Sequence, residues 1–477
     1  MPVSTVRPRA AMPRGSDGRR RPTARCVCSE RSWGLTVMRD VVVLIILGWC
    51  FVQAFKRPWI GVMCWTWVSI MNPHQLAWNI RSLPVAAAIG GATLIGLFVT
   101  KDPRDYKLGR EGVTLVIFMA WCTLTLPGSF FFDDSYELWK RVMKIDLMIL
   151  VTLVLLHSKR HIMLLTWVLV LSIGFYGVKG GAFTLMTGGS YKIWGPENTY
   201  IEGNNEIALA IVIVIPLMRF LQTQMTAKWA KVVMTVCMVL MASAALGSHS
   251  RGALLAILAM ALVLWWRSKG NKVVGAVVFL FVGVALLSVM PAEWWDRMGT
   301  IKTYEQDESA RGRLNAWWMA FNLAKANFLG GGFMVSHAML FQMYAPDPAD
   351  VHAAHSIYFM VLGEQGFVGL GIYLTLFTMA YMSAGRLRTQ ALKRPETLWL
   401  SELGGMCQVC LVGYAVGGAF LSLSYWDLPY NVIILIVVGC RWMDRKKWLT
   451  EKEEPVVYLP EWLKKRFAKR KPVQLLP

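Results

Sequence analysis

The chain has 477 residues, of which 55% are hydrophobic and only 17% charged, too apolar a balance for a water-soluble globular protein of this length. The formal charge of +21 would suit a polyanion-binding protein, yet the basic residues stand in short clusters between apolar runs, with no basic-aromatic groove or binding motif, which argues against nucleic acid. An all-α, polytopic membrane bundle is the expected class. Most of the nine cysteines lie inside apolar runs, where they pack as small hydrophobes and form no disulfide framework.

Residues 1–37 are rich in Arg, Pro and Ser without apolar periodicity and are expected to be a disordered basic extension, outside the native start. From Val41 onward apolar runs alternate with polar loops. A helix needs about 20 apolar residues to cross the hydrocarbon, and spans are predicted at 83–100, 113–131, 145–157, 163–186, 207–222, 232–248, 252–266, 273–290, 357–384, 403–424 and 431–442. Residues 41–71 are broken by Lys56-Arg57-Pro58 and are read as one span plus a re-entrant piece, which makes about 12 transmembrane helices. The loops around Lys101 to Arg110, Lys159-Arg160, Lys228 to Lys231, Arg267 to Lys272, Arg386 to Arg394 and the tail from Arg441 are basic, so they face the cytoplasm. The opposite face then carries 291–355, a long segment with seven acidic against five basic side chains. This divides the chain into N-terminal helices at 38–290, the large outer loop at 291–355, C-terminal helices at 356–442 and a cytoplasmic tail at 443–477. Within the loop, Leu314, Trp317, Trp318, Phe321, Leu323 and Ala324 recur at helical spacing over 313–328, predicting an amphipathic helix on the membrane surface. Trp294, Trp295, Trp317 and Trp318 suit a membrane-interface belt.

Of seven histidines, four (His249, His337, His352 and His355) fall on the outer face, and His355 opens an apolar run immediately after the longest polar segment. A neutral imidazole there can accept a proton at ambient pH. His352 and His355 lack a third ligand at metal spacing, so no metal site is expected. Arg251 ends up at the outer end of an apolar helix, and Arg313 stands upstream of His355; guanidinium groups bind phosphate bidentately and keep their charge beside apolar surroundings. Arg311 and Lys302 are weaker candidates of the same kind, as are Lys179, Lys140 and Arg141. Asn204-Asn205-Glu206 opens a helix, where an N-cap and a carboxylate at the positive dipole end are the plain reading and site participation of Asn205 and Glu206 the alternative. Tyr358, one turn beyond His355, could orient the imidazole or stack on a sugar. No Asp-x-Asp or phosphate-loop motif accompanies these residues, which speaks against a nucleotide-sugar donor.

The stretch His355-Ser356, nine residues, Gly366-x-x-Gly369 resembles the signature of the bacterial O-antigen ligase and O-antigen polymerase superfamily. Gly247-Ser248-His249-Ser250-Arg251-Gly252 and Arg311-Gly312-Arg313-Leu314-Asn315-Ala316-Trp317 support the match, while Met38-Arg39-Asp40, Met71-Asn72-Pro73-His74 and Gly203-Asn204-Asn205-Glu206 look like the exosortase-associated O-glycosylation ligase subgroup. The resemblance implies a C-class glycosyltransferase-like bundle in the bacterial inner membrane with its active site at the periplasm. It implies an undecaprenyl-diphosphate-linked glycan as donor, no cofactor, His355 as general base, and Arg251, Arg313 and Arg311 on the pyrophosphate. Lipid A core is the first expected acceptor; protein Ser or Thr hydroxyls, or another glycan chain as in a polymerase, use the same chemistry. A lipid-linked glycan flippase would need a similar bundle but usually shows internal repeats, and none is visible here.

Overall fold

In the computed structural model, residues 28–77, 80–81, 83–267, 272–299 and 308–451 are described. Sixteen α-helices follow one another within them: α1 (Cys28–Lys56), α2 (Pro58–Met71), α3 (Val85–Val99), α4 (Gly109–Thr125), α5 (Phe132–Leu155), α6 (Lys159–Met186), α7 (Asn204–Gln224), α8 (Lys228–Gly247), α9 (Arg251–Arg267), α10 (Lys272–Leu287), α11 (Ala292–Gly299), α12 (Glu308–Ala326), α13 (Ala338–Tyr344), α14 (Ile357–Ala391), α15 (Leu398–Gly418) and α16 (Asp427–Asp444). The chain is an all-helical, polytopic membrane bundle.

Among the described residues seven helical segments are long and apolar enough to cross a membrane: Met38–Lys56, Gly109–Gly128, Lys159–Met186, Asn204–Gln224, Lys228–Gly247, Ile357–Ala391 and Pro395–Gly418. The other predicted spans are helical too but fall short of that length or composition. The helices α2, α3 and α10 are apolar and have 14, 15 and 16 residues, α9 has 17 with an arginine at each end, and the N-terminal part of α5 carries Asp133, Asp134, Glu137, Lys140, Arg141 and Lys144. Pro58 sits at the first position of α2, where its missing N–H costs nothing, so α1 and α2 are separate helices that pack on each other and on α3.

One expectation changes at the N-terminal end. Helix α1 begins at Cys28, inside the stretch expected to be unstructured, because extending a nucleated helix costs far less than starting one. Residues 1–27, most of the tail and Lys302 lie outside the described residues.

The centre of the bundle is α7, α15 and α16, whose side chains are buried on nearly every face. Around them α6 packs on α8, α14 on α15 and α4, and α9 on α15 and α7. One buried knot ties the end of the bundle that holds the 101–110 segment. There the Arg441 guanidinium donates to the carbonyls of Asp105 (3.2 Å), Lys107 (3.0 Å), Leu156 (3.0 Å) and Leu153, and sits 3.4 Å from the Asp105 carboxylate, which Arg445 approaches to 2.6 Å.

The long loop carries the expected helix, and part of its apolar stripe (Leu314, Trp318 and Phe321) stays exposed. Helix α12 packs on α14 and α13 around a small core of Ala316, Met319, Leu323, Val335, Leu340 and Phe341. Its tryptophans divide: Trp318 and Trp295 are more than half and half exposed, as an interface belt needs, whereas Trp294 is buried and donates to the Leu246 carbonyl at 2.9 Å. Trp317 donates to the Ala354 carbonyl at 2.7 Å and stacks on Phe359, so it serves the loop before His355 and not a belt.

Candidate active site

The signature stretch acquires its meaning from a broken helix. At Gly366 the backbone of α14 takes φ 67° and ψ −174°, a region open essentially to glycine alone. The break frees three carbonyls, and each finds a donor from outside the helix: Gly363 accepts from the Gly331 N–H at 2.8 Å, Glu364 from Gly332 at 3.0 Å, and Gln365 from the Trp121 indole at 2.9 Å. The Gly330-Gly331-Gly332 run is therefore a backbone clasp for the kink. A Cβ on Gly366 would meet the Phe328 carbonyl oxygen at 2.4 Å, and one on Gly330 would meet the Gly366 nitrogen at 2.5 Å. The fully buried Glu364 side chain accepts from Tyr425 Oη at 2.7 Å and the Met334 N–H at 3.1 Å, fastening the irregular segment that follows the glycines to the same helix.

His355 lies two residues before α14 with φ 41°, the left-handed region, which a non-glycine residue enters only when its neighbours hold it there. The neighbours on its N-terminal side are held by α12. Asn315 donates to the carbonyls of Asp347 (2.8 Å) and Asp350 (2.9 Å) and accepts from the Asp347 N–H (2.9 Å), and Trp317 holds Ala354. Gly312 lies flat against the His352 ring, where a Cβ would come within 2.7 Å of Nδ1. His352 itself pairs with Asp350 at 2.5 Å, and the backbone carbonyl of Ser356, next in the chain after His355, accepts the Met360 N–H at 2.9 Å to start α14. His355 is half-buried. Burial first, then the charges of Arg313 and His352, hold its imidazole below the ordinary value of 6.5, so it is a neutral acceptor at neutral pH.

The arginines come together at a second point. Ser250 caps α9 by accepting the Ala253 N–H at 3.2 Å, which puts Arg251 at the first turn of that helix. A small cavity of about 30 Å³ is lined by Asn205, Ser250, Arg251, Gly252, Arg313, Phe420 and Leu421. Two guanidinium groups and the N-terminal ends of α7 and α9 thus converge on one space. Fixed positive charge and exposed N–H dipoles of this kind favour an anion, and phosphate oxygens most of all. The charge of Arg313 acts on His355 and on Glu206 as well, so it links the cavity to the histidine loop.

The remaining expected residues separate. Arg311 is exposed and does not line the cavity. Tyr358 does not orient the imidazole: its hydroxyl donates to the Ala415 carbonyl at 2.8 Å and joins α14 to α15. Asn204 does not cap α7, since Gly203 holds the cap position; its amide instead donates to the Ser248 carbonyl at 2.7 Å and fixes the corner that carries Arg251. Glu206 stays in the first turn of α7 and folds back over Gly203, where a Cβ would sit 2.0 Å from its carboxylate. His337 stacks on Phe131 with centroids 3.8 Å apart, its Nε2 3.4 Å from Asp134, and His249 approaches the Gly189 carbonyl at 2.9 Å.

Sequence reasoning missed Gly312, Asn315 and Trp317 as positioning residues, although they belong to a stretch it singled out for its arginines. The available signal was a glycine and an asparagine inside a helical pattern, both poor helix formers that need a local reason.

Two family models match the chain. Residues 38–226 match a family described as of unknown function (DUF5935), and residues 236–374 match the family described as O-antigen ligase. No curated protein matches. The second match contains Arg251, Arg313, His355 and the Gly366 break, so the very segment that builds this site is an O-antigen ligase family domain.

Proposed function

We propose that this protein is a bacterial inner-membrane glycosyltransferase of the O-antigen ligase type. It transfers a glycan from undecaprenyl diphosphate to a sugar hydroxyl of lipid A core at the periplasmic face. The observation that carries this reading is the convergence of Arg251, Arg313 and two helix N-termini on one cavity beside the loop of a neutral, half-buried His355.

The chemistry follows from those groups. The donor pyrophosphate occupies the cavity mouth against Arg251 and Arg313, its anomeric carbon turned toward His355. The acceptor hydroxyl attacks that carbon from the opposite side, so the configuration inverts. Its proton passes to the imidazole, the bond between carbon and phosphate oxygen breaks, and the electron pair leaves with the diphosphate. The two guanidiniums neutralise the charge that grows on the leaving group, which lets a metal-independent site dispense with a general acid. Asn205 supports the phosphate end from the first turn of α7.

The acceptor is tested with purified protein in a chelator-containing detergent system, offering undecaprenyl-diphosphate glycan with lipid A core or with a Ser/Thr-containing peptide. Product on lipid A core alone is expected. Product on peptide alone would keep the chemistry and replace the acceptor, and elongated donor with neither would make the protein a polymerase. Donor left intact in every tube would overturn the transferase reading and return the flippase to consideration.

A further inference from the structure

A second cavity, of about 760 Å³, lies away from the arginines between α6, α7 and α8, within the size range of small-ligand sites. Its walls include Trp167, Val170 and Gly174 of α6, and Trp229 and Met234 of α8; the single charged lining residue is Lys179. Helices α6 and α8 run parallel, because Gly177 abuts Met241, Gly180 abuts Ala244 and Thr184 abuts Gly247 at an almost constant offset. The groove therefore has a direction. Lys179 marks the end toward Gly247 and the Arg251 corner, and Trp167 with Trp229 marks the other.

From residue 167 to 179 a helix rises about 18 Å, close to the depth of about 15 Å of one bilayer leaflet. We infer that this groove binds one glycerophospholipid with an anionic headgroup, its phosphate at Lys179 and one acyl chain laid between α6 and α8. A leaflet-length apolar slot with a cation at one end matches that molecule in length and polarity. An undecaprenyl chain, several times longer, overruns it. Lys179 is exposed, forms no ion pair among the described residues, and no acidic side chain lines the groove, so its charge is available to a headgroup. A cation placed within a membrane-spanning helix is costly without such a partner. The inference stands apart from the transfer chemistry.

Native mass spectrometry of the full chain in detergent, titrated with phosphatidylglycerol, phosphatidylcholine and undecaprenyl phosphate, tests it. Phosphatidylglycerol is expected to bind about fivefold more tightly than phosphatidylcholine, the worth of one cation near an anionic lipid, and Lys179→Gln to erase that preference. Gly174 has no atom within 4 Å of where a Cβ would stand, so Gly174→Phe projects into open groove and should weaken both phospholipids in a folded protein. Unchanged phosphatidylglycerol affinity in either variant would overturn the inference. So would loss of undecaprenyl phosphate binding in Gly174→Phe with phospholipid binding intact, which would give the groove to a polyprenyl chain.

Discussion

The proton balance of His355 is set by its neighbours. Its pKa is depressed by burial first and by the Arg313 and His352 charges after it. The neutral form is the one that accepts a proton, so transfer should rise with pH through that depressed value and stay level across the neutral range. Arg313→Gln removes one of the depressing charges, and the acid limb of kcat at saturating donor should move upward, toward the ordinary 6.5. An unmoved limb would separate Arg313 from the histidine. Residue identities were the most legible part of this site: His355, Arg251 and Arg313 stand out as polar chemistry beside apolar runs. Their supports were not, because Asn315, Trp317 and Ser250 act through backbone carbonyls and N–H groups that no side-chain pattern encodes.

Among the elements, α14 decides the shape of the site. Apolar periodicity across Gly366 reads as one continuous helix, since a single glycine weakens a helix without stopping it. The break comes from three distant donors, Gly331, Gly332 and Trp121, that compete for its carbonyls. Gly366→Ala combines a left-handed backbone cost of about 1–2 kcal/mol with a clash against the Phe328 carbonyl, so destabilisation of at least about 2 kcal/mol is expected. Mixed-micelle denaturation reads it directly; a wild-type midpoint would mean that the glycine is not required by the kink. The α12 amphipathic pattern was legible as helix, but not how its stripe divides: Leu323 and Ala324 are buried in the protein while Leu314, Trp318 and Phe321 stay exposed.

For the whole molecule, hydropathy sufficed to give an all-helical membrane bundle, because an unpaired backbone cannot cross hydrocarbon. It did not resolve which short helices traverse: α3, α9 and α10 are at or under the length that spans without help. Nor did it foresee the Arg441 knot, which joins segments more than 280 residues apart in the chain. Arg441→Met would leave the Asp105 carboxylate with less compensation and strip donors from the Leu153 and Leu156 carbonyls, so a loss of about 3–5 kcal/mol is expected. That variant should fail in folded yield while any protein recovered retains normal transfer, since the knot is remote from the Arg251 cavity. Retained yield would show that Arg445 alone holds Asp105.

The central claim is that a neutral His355 takes the acceptor proton beside a donor anchored by two arginines. Single-turnover transfer by His355→Ala, with donor affinity measured on the same preparation, tests it most directly. A rate lower by about 10²–10⁴-fold with donor binding unchanged is the predicted result. Transfer at the wild-type rate from correctly inserted protein would contradict it.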